Sequence, residues 1–284
     1  ISGIVLVAKP AGPTSHDVVD IVRRALGEQR VGHLGTLDPF AKGLLVVVVG
    51  RATRLAAYAA EWPKSYEGVI RLGVTTETDD LTGPVVATAS WTGITPAQLA
   101  AVIGSFRGGY EQRPPAYSAV KIGGERAYAR ARRGETVEPA PRPVEIRELE
   151  IVEAAVPDLH FRATVSGGTY LRSLARDIGA KLGCGAHLAA LRRTAVGPLQ
   201  LEDAVAPEAV TPANIRDAGV LVAHLPRREV NATERDAVLH GRSVKADPIV
   251  NSQHPIALFS GTELLAVAEQ VGELLKPRTV VAGD

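Results

Sequence analysis

The chain has 284 residues, of which 45% are hydrophobic, enough for one large domain or for one large and one small domain. Its net charge of +1 excludes no partner, because nucleic-acid binding depends on local clusters of charge. The single cysteine excludes a disulfide framework, and neither zinc-finger spacing nor an apolar run of membrane-spanning length occurs. The N-terminal residues lack the pattern of a signal peptide, so we expect a cytoplasmic protein that holds no metal.

The first 60 residues alternate strand and helix signals. Ile4–Ala8 has the pattern of a strand, and it is followed by a turn rich in proline and glycine. Thr14 and the polar residues after it open a helix over Val18–Leu26, and Gly27 follows its last turn. Residues 43–50 form a continuous β-branched run, which predicts a strand buried on both faces.

Later segments continue this mixture. Their patterns predict strands at Tyr66–Gly73, Val85–Thr88, Leu159–Ser166 and Gly197–Leu201, and helices from Thr95 to about Phe106 and at Tyr170–Leu182. Strands and helices mixed over most of the chain predict the α+β class, with a mixed sheet in a catalytic domain.

Two segments differ from the rest. Residues 112–147 are rich in proline and glycine and carry eight basic residues against four glutamates, which leaves +4. From about Asn231 a short helix is followed by short apolar strands around Val244, Ile256–Phe259, Leu264–Ala268 and Val280. We therefore predict a catalytic domain over 1–228, with an insertion at 112–147, and a small β-rich domain over 229–284.

One loop concentrates features that chemistry requires. It reads Gly32-His33-Leu34-Gly35-Thr36-Leu37-Asp38-Pro39 and stands directly before the most apolar strand of the chain. On these residues alone, a turn-capping role for Asp38 ahead of Pro39 explains the pattern best. Phosphate-binding glycine loops and the serine-hydrolase elbow are absent from the sequence, so those classes of enzyme are disfavoured.

The loop resembles the catalytic motif of the TruB family of pseudouridine synthases. Further stretches match motifs of that family in the same order along residues 5–200: Val7–Ser15, Lys64–Glu67, Thr78–Gly83, Arg113–Lys121 with Gly134-Glu135, Ser166–Leu174 and Gly183–Thr194. The resemblance implies a pseudouridine synthase catalytic domain and an RNA-clamping role for the insertion. It also implies cleavage of a uridine N-glycosidic bond, rotation of the base and reattachment through carbon 5, without cofactor or metal.

The resemblance assigns roles to individual residues. Asp38 is the catalytic carboxylate, acting either as a nucleophile or as a base at the ribose, and Arg172 is its cationic partner. Tyr66 stacks on the flipped base, and its phenol is a candidate for proton transfer at carbon 5. Leu191 lines the apolar wall of the pocket. Taken without the resemblance, each of these residues also has an ordinary structural explanation.

The resemblance implies that other matched residues bind RNA or support the active site. His33 packs against the opened T-loop, Lys9 and Pro10 support the catalytic loop, and Lys42 meets phosphate. We predict that the insertion is a flap that orders on RNA. Four of its basic side chains are expected to contact the RNA: Lys121, Arg130, Arg132 and Arg133.

The implied substrate is tRNA, at the T-loop uridine of position 55. The C-terminal segment resembles a PUA-like RNA-binding domain and would grip the acceptor stem, although a purely structural β-cap stays open. Two other functions also stay open: a family relative that acts on another RNA, including the guide-RNA-dependent type, and a non-catalytic RNA-binding or RNA-folding protein. We expect a monomer, because the sequence shows no sizeable exposed apolar stripe.

Overall fold

A computed structural model describes residues 1–118, 120–246 and 254–283, which form two main sheets and five α-helices. The strands of the first 200 residues are β1 (Gly3–Lys9), β2 (Val31–Leu34), β3 (Lys42–Val49), β4 (Lys64–Leu72), β5 (Val74–Thr76), β6 (Val85–Thr88), β7 (Gly108–Gln112), β8 (Lys121–Ile122), β9 (Glu125–Arg126), β10 (Arg142–Ala155), β11 (Asp158–Val165), β12 (Ala186–Val196) and β13 (Leu199–Gln200). The later strands are β14 (Arg227–Glu229), β15 (Val244–Lys245), β16 (Ile256–Ser260), β17 (Glu263–Val271) and β18 (Leu274–Val280). The helices are α1 (Ser15–Leu26), α2 (Pro96–Gly104), α3 (Ala127–Arg132), α4 (Leu171–Leu182) and α5 (Ala232–Leu239).

The larger sheet has the strand order β1-β3-β12-β4-β11-β10-β7, with β2 beside β3 and β13 beside β12. Strands β3 and β12 run parallel, whereas the other neighbouring pairs are antiparallel. The α+β class and the mixed sheet predicted from the sequence are therefore confirmed.

Local signals explain several elements. Thr14 caps α1 through a reciprocal bond with Asp17, and Gly27 ends the helix in the left-handed conformation at φ 62°. The helix begins at Ser15, three residues before the predicted start. Strand β3 is buried from Leu44 to Val49, as its apolar run predicts.

The basic insertion is shorter than its composition indicates. Gln112 ends β7, Arg142 begins β10, and these two residues are partners in the sheet. The segment that leaves the sheet is therefore 113–141, while Arg142 and Arg147 belong to a 14-residue strand. Charged residues alternate along this strand because one of its faces is exposed, which gives it the composition of a polar loop.

The C-terminal strands form a second sheet with the order β14-β16-β17-β18-β15, and α5 packs beside it. The boundary expected at 228/229 falls inside β14, which pairs in parallel with β16. Phe259 and Val267 of this sheet share one hydrophobic cluster with Leu6 and Leu44 of the larger sheet. Among the described residues, no helix is long and apolar enough to cross a membrane.

Candidate active site

A pocket of ≈ 830 Å³ opens where the Asp38 loop, β4, the start of α4 and the insertion meet. It is bounded on one side by the 78–82 turn and on another by β12. The site residues predicted from the sequence that line it are Asp38, Tyr66, Arg172 and Leu191. The four residues implied for catalysis and for the apolar wall are thus brought together.

Asp38 and Arg172 form a bidentate ion pair within this pocket. Arg172 Nε donates to Asp38 Oδ2 at 2.9 Å, and Arg172 Nη2 donates to Asp38 Oδ1 at 3.1 Å. The arginine side chain is 5% exposed and the aspartate side chain 31%, so the cation is buried and the carboxylate faces the opening. A two-point contact of this kind fixes the orientation of a carboxylate as well as balancing its charge.

The remaining nitrogen contacts of Arg172 tie two further chain segments to the pair. Its Nη1 donates to Thr78 O at 3.1 Å and its Nη2 donates to Tyr117 O at 3.0 Å. The second carboxylate, Asp80 Oδ2, lies 3.7 Å from Nε. Asp80 is buried and also accepts hydrogen bonds from Thr78 and Thr82. One guanidinium therefore joins the Asp38 loop, the 78–82 turn and the insertion.

Two side chains form hydrogen bonds with the backbone of the loop that carries Asp38. Lys9 Nζ donates to Ala41 O at 2.7 Å and to Pro39 O at 3.3 Å. Ser15 Oγ donates to Leu37 O at 3.0 Å and accepts from Leu37 N at 2.9 Å. Burial lowers the pKa of Lys9 to about 8, with Asp38 opposing the change and Arg193 adding to it. These bonds place Lys9 and Ser15 against the backbone of the loop, and a supporting role for Lys9 stays a prediction.

Tyr66 and Leu191 form the apolar side of the pocket, and each is 7% exposed. Tyr66 lies on β4 opposite Arg193 of β12, and Leu191 lies opposite Gly68. Both belong to the cluster that packs on α4 through Leu174. Side chains on packed strands keep their positions, so these two residues form a fixed apolar surface.

Several predicted residues lie elsewhere. His33, on β2, is absent from the pocket lining; burial, aided by Arg193 and His16, lowers the pKa of its imidazole. Lys42 borders a separate hollow of ≈ 290 Å³. Arg130 and Arg133 of the insertion are paired with Glu135, and Arg133 also with Glu125. The side chains of Lys121 and Arg132 lie outside the described residues.

The pocket also contains residues that were not predicted to act. Its rim carries Arg126 and Tyr128 of the insertion and Arg142 of β10, whose guanidinium lies 5.0 Å from the Tyr170 ring centre. Arg126 and Arg142 were counted only as part of a basic segment. Asp80 had a sequence signal, because it lies in a stretch matched to the family, but spacing alone gives no reason to pair it with Arg172. Among the described residues, no group of three or more His, Cys, Asp or Glu side chains is arranged to hold a metal.

Lys64 gives the site a measurable dependence on pH. Burial, with the charge of Arg193 adding to it, lowers its pKa from 10.5 to about 8. Below pH 8 the lysine is charged in the folded and the unfolded chain, and the folded chain bears the cost of burying the charge. Between pH 8 and 10.5 the folded chain has released the proton while the unfolded chain retains it, so stability rises with pH.

We therefore expect the stability of the wild type relative to Lys64→Met to increase from pH 7 to pH 10, by up to about 3 kcal/mol. Denaturant unfolding at fixed pH values measures this difference. Exposed Lys42, replaced in the same way, should show no such trend. A constant difference between wild type and Lys64→Met would contradict the expectation.

Comparisons with known proteins match most of this chain to one family. A model of the TruB family pseudouridylate synthase N-terminal domain matches residues 23–171, and a model of the tRNA pseudouridylate synthase B C-terminal domain matches residues 172–228. The two matched segments meet at the start of α4, and both contribute strands to the larger sheet.

Relatives and solved structures extend the match to nearly the whole chain. A protein of Thermobifida fusca named tRNA pseudouridine synthase B is 44% identical over 99% of both chains. One of the same name from Parasynechococcus marenigrum is 42% identical over 98% of this chain and 97% of its own. The structure of a Cbf5-Nop10-Gar1 complex contains a chain that is 26% identical, with a TM-score of 0.75 over 99% of this chain and 85% of that one.

A structure of an H/ACA RNP bound to a substrate RNA containing 2′-deoxyuridine matches with a TM-score of 0.73 over 99% of this chain and 85% of that chain. At 24% identity it supports the fold alone. The family models and the curated relatives confirm the resemblance found in the sequence motifs, and the chain belongs to the TruB family of pseudouridylate synthases.

Proposed function

We propose that this protein isomerises the T-loop uridine at position 55 of tRNA to pseudouridine. The observation that carries the proposal is the Asp38–Arg172 pair, set in one pocket with Tyr66 and Leu191. The curated relatives are named tRNA pseudouridine synthase B, which supports tRNA as the substrate. The bidentate contact keeps the carboxylate oriented while RNA covers the pocket.

The geometry suits a base that has left its stack. The uridine enters between the Tyr66 side and the Asp38 side, and Leu191 excludes water from the apolar wall. The bond between C1′ and N1 breaks, the uracil turns, and a bond from C1′ to C5 forms. The proton on C5 is lost and N1 gains a proton, so the product is an isomer of uridine. Asp38 assists at the ribose, as nucleophile or as base, and Arg172 balances its charge.

The proposal is tested by incubating the purified protein with an unmodified tRNA transcript and mapping pseudouridine chemically. We expect product at position 55 without any added RNA or protein. Product at another position, or only with an added guide RNA, would replace the substrate assignment. Absence of product on every transcript, with tRNA binding retained, would favour an RNA-binding or RNA-folding protein.

Two substitutions at Tyr66 separate its possible roles. If the ring acts by stacking, Tyr66→Phe should keep most activity, while Tyr66→Leu should lose the stacking of one base, about 1–3 kcal/mol or roughly 5- to 150-fold. If the hydroxyl moves a proton, both variants should be inactive. Single-turnover rates at saturating tRNA distinguish the two cases, and Tyr58→Phe, outside the pocket, is the control.

We propose that segment 113–141 clamps the RNA and orders further when RNA binds. Arg130 and Arg133 would exchange their glutamate partners for phosphates. Replacing both by glutamine should lower the slope of log affinity against log salt by about 1–2, since each phosphate contact contributes about 0.7–0.9. Arg71→Gln, which breaks an exposed pair with Asp158 away from the pocket, is the matched control. An unchanged slope in the double variant would contradict the clamp.

The remaining assignments concern organisation. We propose that the larger sheet and its insertion form the catalytic domain, and that the second sheet is a PUA-like unit that grips the acceptor stem. We further propose that the protein is cytoplasmic, which tRNA as the proposed substrate supports, and that it is a monomer. Light scattering of the purified protein tests the oligomeric state.

A further inference from the structure

Arg193 is a fully buried cation beside the catalytic loop. It lies on β12 and is 0% exposed. Its Nε donates to Leu44 O at 2.8 Å, and its Nη2 donates to Gly35 O at 3.0 Å. Gly35 begins the loop that carries Asp38, and Leu44 lies on β3 just after the loop ends. One guanidinium therefore joins the two ends of this loop.

The backbone of Arg193 holds the same loop at close range. Arg193 pairs with Gly43 of β3 on one side and with Tyr66 of β4 on the other. A Cβ atom at Gly43 would lie 2.2 Å from Arg193 O, and Gly43 has φ +114°. Only glycine fits there, so the end of the loop is seated directly on the strand that carries the arginine.

The charge of Arg193 is costly to keep in this place. Within residues 1–118, 120–246 and 254–283, no carboxylate lies within 4.0 Å of its guanidinium, and Nη1 has no hydrogen-bond partner. Two other cations are close enough for Arg193 to lower their pKa values, Lys9 and Lys64. An apolar side chain of similar volume would stabilise the same core without desolvating a charge. A role in the fold alone does not explain the cation.

We propose that Arg193 is a positioning residue for Asp38. Its two bonds fix the separation of Gly35 and Leu44, and this separation sets where the loop presents the carboxylate to Arg172 and to the substrate. Lys9 and Ser15 hold the middle of the loop, whereas Arg193 holds its ends. The inference rests on the proposed function, because it concerns a carboxylate that acts in that reaction.

Arg193→Lys is the sharpest test. Lysine keeps the charge but has one nitrogen, which cannot hold both carbonyl groups in the planar fork of a guanidinium. We expect the single-turnover rate at saturating tRNA to fall about 100-fold, the loss that a misplacement of about 1 Å produces. Arg193 lines the pocket but is 0% exposed, so it offers RNA almost no surface, and the affinity for tRNA should stay within about twofold of the wild type. Arg192→Lys, on the exposed neighbouring residue, should change neither quantity.

Amide hydrogen exchange gives a second readout that does not depend on activity. In Arg193→Lys we expect faster exchange in peptides covering residues 35–44, with the rest of β3 and β12 protected as in the wild type. A general loss of protection across both strands would show that Arg193 stabilises the whole fold, and it would overturn the proposal. A single-turnover rate within threefold of the wild type would also overturn it.

Two further variants keep the outcomes distinct. Asp38→Asn is measured beside Arg193→Lys. If Asp38→Asn retains turnover, the proposed function is wrong. If Asp38→Asn is inactive but Arg193→Lys has the wild-type rate, only the positioning role of Arg193 is wrong. If Arg193→Lys does not fold, Arg193→Gln is tested by the same two measurements. Failure of both variants to fold counts against the proposal, because the residue then serves the whole fold.

Discussion

Asp38→Asn should abolish pseudouridine formation while leaving the affinity for tRNA close to that of the wild type. The amide has the shape of the carboxylate but cannot act as nucleophile or base, and it loses the charge that Arg172 balances. We expect a decrease in single-turnover rate of roughly 10⁴-fold or more, the scale on which loss of a nucleophile slows other enzymes. The measurement is pseudouridine formed per enzyme with tRNA saturating, accompanied by a binding isotherm.

A matched control separates this effect from a general loss of charge. Asp203 is exposed and paired with Arg216 outside the pocket, so Asp203→Asn should have nearly normal turnover. Near-normal turnover in Asp38→Asn would remove the catalytic role from the carboxylate. A loss of tRNA binding equal to the loss of rate would assign Asp38 to binding instead.

Arg172→Met should be nearly as damaging, and it should also destabilise the fold. The substitution leaves Asp38 and Asp80 facing each other without the cation between them. Removing one partner of a buried ion pair costs about 3–5 kcal/mol, because the other charge stays buried and unpaired. We expect a decrease in turnover of roughly 10³-fold or more, since the carboxylate loses both of its oriented hydrogen bonds.

A double variant distinguishes the two effects of Arg172→Met. Adding Asp80→Asn removes the buried charge that the methionine leaves without a partner, so stability should recover in part while turnover should not. Arg176→Met, one turn later on α4 and paired with Asp79, is the control for loss of an arginine from this helix. Recovery of activity together with stability would show that Arg172 only holds the fold.

The secondary structure that the sequence predicts well is the part governed by local chemistry. Thr14 and Gly27 delimit α1, Thr95 caps α2, and the β-branched run gives β3. Strand β10 was assigned in part to the insertion because its exposed face carries charges and two register shifts interrupt its alternation. Strand β2 has only four residues and depends on its pairing with β3, which no local pattern encodes.

The candidate site shows the same division. Residues alone favour a turn role for Asp38, and the pairing with Arg172, 134 positions away, became an expectation only through the family motifs. Arg193 and Lys64 lie at buried positions of their strands, next to apolar residues. A basic residue on the buried face of a predicted strand was therefore a sequence signal that could have identified both. The sequence predicted that the insertion arginines bind phosphate. It did not predict their ion pairs with glutamates, because those pairs depend on how the segment folds.

The cluster that Phe259 and Val267 share with Leu6 and Leu44 determines how the C-terminal sheet must be studied. Arg51 strengthens this junction, since its Nη1 donates to Ala282 O at 2.8 Å. Removing the sheet would expose the side of β1 and β3 that supports the Asp38 loop. A truncated chain would therefore lose catalysis for reasons unrelated to tRNA, and the contribution of this sheet to binding is isolated only by substitutions on its solvent-facing residues. The two sheets share this packing, so we expect a change in the C-terminal core to reach the loop that carries Asp38.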